Sequence, residues 1–168
     1  MENDRENDVA VKPDSSKLAP EAELQSYIHR LDPKDQQLMR SVRAAVRKRF
    51  PTVHELAYDY GSHVVIAYSS TDRAIDAILA IDGRADGVRL YFMHGPQLPD
   101  PKRLLLGKGS QARFVQVEAA SQLAHPDVDA LIAAAVAKST APLPSKGKRG
   151  LIIKLTAAKK RSQRRPTK

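Results

Sequence analysis

The chain has 168 residues and no cysteine, with 28 Lys+Arg against 19 Asp+Glu for a formal charge of +9. That length suits one domain with appendages, and the missing cysteines exclude a disulfide framework, a thiolate zinc site and a cysteine nucleophile. Residues Met1 to Asp8 are acidic and polar rather than basic and then apolar, and no apolar run reaches the ~20 residues of a bilayer span, so a soluble, cytoplasmic protein with no membrane span is expected.

The charge is unevenly spread. Residues 1–19 hold three basic and five acidic residues and few large apolar ones, the composition of a disordered arm; residues 20–137 hold fourteen of each sign. From Lys138 to Lys168 there are eleven basic residues and no acidic one, so the net charge describes the tail. The expected organisation is an arm at 1–19, a folded α+β domain at 20–139 and a basic, flexible tail at 140–168.

In chain order, a short helix from Pro20 gathers Leu24, Tyr27, Ile28 and Leu31 on one face. Asp32-Pro33 opens a longer one, with Asp32 as side-chain cap and an apolar stripe of Leu38, Met39, Val42, Ala45, Val46 and Phe50 that Pro51 ends. Its basic residues Arg40, Arg43, Arg47, Lys48 and Arg49, together with Arg30 before it, read as a solvated face. The period then shifts to that of strands at Glu55–Tyr60, His63–Ser69, Ala74–Ile81, Val88–His94 and Ala112–Glu118. Gly61-Ser62 supplies a two-residue hairpin turn, and Asp82-Gly83 and Asp86-Gly87 supply turn chemistry for the next connection. Pro126 starts a last helix with Val128, Leu131, Ile132, Ala135 and Val136 buried. The fold class expected is α+β, an antiparallel sheet of about five strands with the N-terminal and C-terminal helices on one face.

Gly107-Lys108-Gly109-Ser110 has two readings: an anion cradle in which backbone N–H groups are joined by Lys108 and Arg113, or a Gly-rich turn feeding a strand. It is not a P-loop. His94 ends an aromatic strand and has two readings, a strand-end histidine in contact with solvent or core, or a ligand residue facing a cleft with Tyr58 and Tyr60. The five histidines have no metal-ligand spacing and no serine sits in a nucleophile-elbow context, so no catalytic residue and no metal ligand is assigned. Lys159, Lys160, Arg161, Arg164 and Arg165 suit weak, salt-sensitive nucleic-acid contact through residues 146–168, or else a solubilising extension. Leu151-Ile152-Ile153 with Leu155 could pair as an edge strand, on the domain or on a partner.

Tyr27-Ile28, Tyr60-Gly61, Leu98-Pro99-Asp100-Pro101, Leu104-Leu105, Gly107-Lys108-Gly109, Arg113 and Leu131-Ile132 together resemble the YdhG-like domain family, a bacterial domain of unknown function, over roughly residues 20–139. The resemblance implies a compact α+β domain with an antiparallel sheet, and some relatives act as frataxin-like iron chaperones, so iron enters by resemblance only. The expected function is therefore a non-enzymatic, cytoplasmic binding or carrier protein for a small anionic ligand or metal, with Tyr58, Tyr60, His94, Lys108 and Arg113 as ligand-binding residues. The alternative is a nonspecific nucleic-acid-associated protein acting through its tail.

Overall fold

Each of the three α-helices starts on a proline, α1 at Pro20–Ile28, α2 at Pro33–Arg49 and α3 at Pro126–Ala137, the position where a missing N–H costs nothing. A computed structural model describes residues 18–148 and 150–156 of the chain. Lys159, Lys160, Arg161, Arg164 and Arg165, and all but the last two residues of the acidic arm, lie outside the described residues. The Asp32 carbonyl accepts the N–H groups of Asp35 and Gln36, both at 2.9 Å, but its carboxylate makes no capping bond. Gln36 ties the α1–α2 connection to the first turn of α2, its amide donating to the carbonyls of His29 at 3.0 Å and Leu31 at 2.7 Å, so the expected side-chain cap is not made. Among the described residues no helix is long and apolar enough to cross a membrane.

The strands are β1 (His54–Asp59), β2 (Val64–Ser69), β3 (Ala77–Arg84), β4 (Gly87–Met93), β5 (Ala112–Val117) and β6 (Leu151–Lys154), in the sheet order β5-β4-β3-β2-β1-β6. The first five are an antiparallel meander, each strand beside its neighbour in sequence. The sixth is parallel to β1, Glu55 opposite Leu151 and Tyr58 opposite Lys154. The fold class is α+β as expected, but the sheet is mixed and has six strands, because Leu151, Ile152 and Ile153 pair with the outer edge of β1.

Alternation sets both faces. Ala57, Val64, Ile66, Leu79, Ile81, Val88, Leu90, Phe92, Val115 and Val117 point to the helices and form the main core with Leu24, Ile28, Met39, Val42, Val46, Leu131 and Ile132. Between β1 and β2, Gly61 takes a left-handed φ of +82° in the two-residue turn closed by Tyr60 N–H donating to the His63 carbonyl at 3.1 Å. β3 departs from its expected bounds. Ala74–Asp76 is a 3-10 turn, held where the Asp76 carboxylate accepts from the hydroxyls of Thr71 at 2.7 Å and Thr140 at 3.0 Å. Those hydroxyls also keep the Asp76 carboxyl below the usual carboxylate range. Asp82-Gly83 is not a turn but the end of the strand: a Cβ on Gly83 would lie 2.6 Å from Leu31 Cδ1, so the glycine sits where the α1–α2 connection packs on the sheet and a side chain there would push the tip of Leu31 aside.

Arg43 is not on a solvated face. Only 4% exposed, it donates from Nε and one terminal nitrogen to both oxygens of Glu55 (2.9 and 2.8 Å) and from its two terminal nitrogens to both oxygens of Glu21 (2.6 and 2.8 Å). One guanidinium thus ties α2 to β1 and α1 through two forks, the geometry arginine alone supplies. The buried Tyr68 hydroxyl lies beside this pair; burial, and then the charge of Glu55, push its pKa up. Arg43 holds the Glu21 carboxyl at about 2, below its ordinary 4.5. A depressed carboxyl contributes stability that is complete above its unfolded value and lost as pH falls through the folded one. Wild-type stability should therefore decline between pH 4.5 and about 2 in thermal melts. A Glu21→Gln variant should be somewhat less stable at neutral pH, since Glu21 is half exposed and screened, and flatter across that acid window.

Candidate functional site

The sheet face turned away from the helices carries a second cluster, Leu56, Ala67, Ala77 and Ala80 with Tyr58, Val65, Tyr91, Met93 and Ile152 packed against it; no described helix contributes to it. The register aligns its side chains in rows. One runs Ile152, Leu56, Ala67, Ala80, Tyr91, Phe114, and the next runs Lys154, Tyr58, Val65, Asp82, Arg89, Gln116. Small residues sit in the middle of the first row with aromatic rings towards β5, so the face has a low centre and a raised side.

Beyond the Tyr91–Phe114 pair, whose ring centroids are 5.1 Å apart, lies an open cleft of about 410 Å³ lined by Tyr91, Gly107–Ala112 and Phe114. Its loop is built by three local devices. Asp100 accepts the N–H groups of Leu104 and Leu105, one on each carboxylate oxygen at 2.8 Å. Gly95 then packs flat on Arg113, where a Cβ would meet the Arg113 backbone nitrogen at 2.5 Å. Arg113 in turn donates from Nε to the Gly109 carbonyl at 2.9 Å and from a terminal nitrogen to the Gly107 carbonyl at 2.7 Å. Three carbonyls of the loop are therefore claimed, the third being that of Gln111, which accepts the Gly95 N–H at 3.2 Å, whereas no described group accepts from the N–H groups of Gly107 to Gln111. Gly107, at φ +98°, takes the left-handed conformation that lets the loop fold over the Phe114 ring. Arg89 backs the aromatic pair, its guanidinium 4.4 Å from the Phe114 centroid. The hydrogen bond to Tyr91, and after it Asp86, pushes its pKa up further.

The five expected ligand residues do not form one cleft. Lys108 lines the β4–β5 cleft, and Arg113 shapes its loop. His94, in a left-handed conformation at the end of β4, precedes the glycine that packs on Arg113 but does not line the cleft. Tyr58 on β1 and Tyr60 just after it lie at the opposite end of the sheet, with β2 and β3 between them and β4. That is about 14 Å across at ~4.8 Å per strand.

At that end the structure assembles a group the sequence did not single out. Tyr60, 51% exposed, stacks on His63 with centroids 4.8 Å apart and planes 13° from parallel, and on Tyr58 at 6.0 Å and 17°. His63 Nδ1 is 2.8 Å from Asp82 Oδ1, and Arg84 donates to the other oxygen at 2.9 Å. Burial, then the neighbouring Tyr60, push the Tyr58 hydroxyl pKa up. A signal for this group existed: alternation back from Val65 puts His63 on the Tyr58 face, and the β2–β3 register puts Asp82 opposite Val65. The turn expected at Asp82-Gly83 hides it, since a turn residue is assigned to neither face of the sheet.

Iron cargo requires clustered oxygen or nitrogen donors. Among the described residues no group of three or more His, Asp or Glu could hold a metal ion, so they do not fit an iron site. No family model matches this chain, and no curated protein or solved structure matches it.

Proposed function

We propose that the chain is a YdhG-like, non-enzymatic binding protein whose β4–β5 cleft takes a small anionic ligand with a planar apolar part. The observation that carries this reading is the division of labour around residues 107–111. Arg113 occupies the loop's carbonyls while its N–H groups stay unclaimed, and Lys108 brings a cation beside the Tyr91 and Phe114 rings. Unclaimed amides with a lysine attract an oxyanion, and an aromatic wall attracts a ring. The cleft volume is that of a small-molecule site. The residues behind the family resemblance support the same reading, since Asp100, Gly107, Gly109 and Arg113 are the ones that shape this loop.

A thermal-shift panel of nucleoside monophosphates, sugar phosphates and aromatic carboxylates tests it. One class should raise the melting temperature of the wild type, by the equivalent of about 2.7 kcal/mol at a hundredfold excess over Kd, and leave Lys108→Glu unmoved. Flat melting across the panel, or equal shifts in both proteins, refutes it.

A second reading, nucleic-acid association through residues 146–168, is favoured by one observation. β6 fastens this segment to the sheet, so the basic residues beyond 156 start from a fixed point on the domain.

A further inference from the structure

We infer that the Tyr58–Tyr60–His63 stack is a base-stacking platform for single-stranded nucleic acid, a proposal that rests on the second reading above. The first support is the rings themselves. Three aromatic side chains in series lie within 17° of parallel between neighbours, and Tyr60, the middle ring in contact with both others, still keeps half its surface. A core does not need such an arrangement at its rim. Planar bases bind it, because every base offers a π-face whatever its sequence.

The second support is rigidity. His63 is held through Nδ1 by Asp82, which is 3% exposed and held in turn by Arg84, so the ring under Tyr60 is fixed before any ligand arrives. Less ordering entropy is then lost on binding. The third is charge. The acids beside the stack are already paired, Asp59 to Arg30 and Asp82 to Arg84, while Lys154 lies opposite Tyr58 in the register and no described carboxylate pairs with it.

The fourth is direction. β6 runs parallel to β1, so the chain reaches Thr156 at the Tyr60 end of the sheet, and the next twelve residues include Lys159, Lys160, Arg161, Arg164, Arg165 and Lys168 with no acidic residue. Duplex bases are already stacked on each other, so this platform takes single strands. The stack is distinct from the cleft at Lys108, which lies at the other end of the sheet.

Fluorescence anisotropy of full-length protein with a 12-nucleotide single strand and the matching duplex, over a salt series, tests the inference. Tyr60→Ala should weaken the single strand about tenfold and leave the duplex unchanged, and Tyr60→Phe should bind like wild type. Both substitutions lie at an exposed position, and their melting curves check the fold. If the Ala variant binds the single strand as wild type does while a chain ending at Thr156 loses it, the platform is wrong and tail binding stands. Equal loss on single strand and duplex also overturns the platform. No binding by the full-length chain at physiological salt removes both the second reading and this inference.

Discussion

Replacing Arg43 by methionine is expected to destabilise the domain by about 3–5 kcal/mol, the cost of removing one partner from a buried ion pair. The substitution retains most of the side chain's length, so little cavity is made. What remains is Glu55, 1% exposed, with Arg47 as its nearest cation at 4.0 Å and itself 37% exposed. Loss of the second fork also frees Glu21 from α2. One comparison separates charge from packing. Adding Glu55→Gln to Arg43→Met should recover a large part of the loss, because the uncompensated charge is gone. A deficit that ignores the second substitution would place the effect in packing alone. Equilibrium urea melts of the wild type and the two variants measure this.

The next largest effect is expected from where the chain is cut. Ending it after Ser145 keeps the bonds that pin the connection from α3, Ser70 Oγ to the Ala141 carbonyl at 3.1 Å and Thr52 Oγ1 to the Pro144 carbonyl at 2.6 Å, but removes β6. Leu151 and Ile153 then leave the main core and Ile152 the second cluster. The Glu55 N–H also loses the Gly150 carbonyl at 2.8 Å. At about 1 kcal/mol for each partly buried aliphatic side chain, the loss should be about 3 kcal/mol before the ladder is counted. A chain ending at Thr156 keeps every described strand and should melt much closer to full length. Equal melting of the two truncations would mean that β6 contributes little. The same reasoning governs the nucleic-acid experiment, where a cut inside 141–156 would confuse loss of tail charge with loss of a strand.

How far the sequence could be read depended on how local the cause was. Strands β1, β2, β4 and β5 fall within a residue of their expected bounds, because alternation and adjacent turns are local signals. β3 moved because Asp76 is held out of the ladder by two hydroxyls, one of them 64 residues away, and because Gly83 owes its place to Leu31 rather than to a turn. Arg43 looked like a surface residue by helical position; its partners lie 22 residues before it and 12 after. The loop at 107–111 was legible as a Gly-rich element between two readings, but that Arg113 would turn inward to its carbonyls was not. Nor was the separation of Tyr60 from His94, which follows only once the strand order is known.

The one parallel pairing has a consequence in time as well as in space. Every other strand pair joins neighbours in sequence, so the meander can zip hairpin by hairpin as the chain is made. Glu55 must instead wait for Leu151, 96 positions later. Throughout synthesis of the intervening chain, the outer edge of β1 presents unpaired backbone groups, the condition in which nascent sheets recruit the wrong neighbour. β6, the last of the described strands to be made, therefore acts as the latch that ends the exposure of that edge to such pairing.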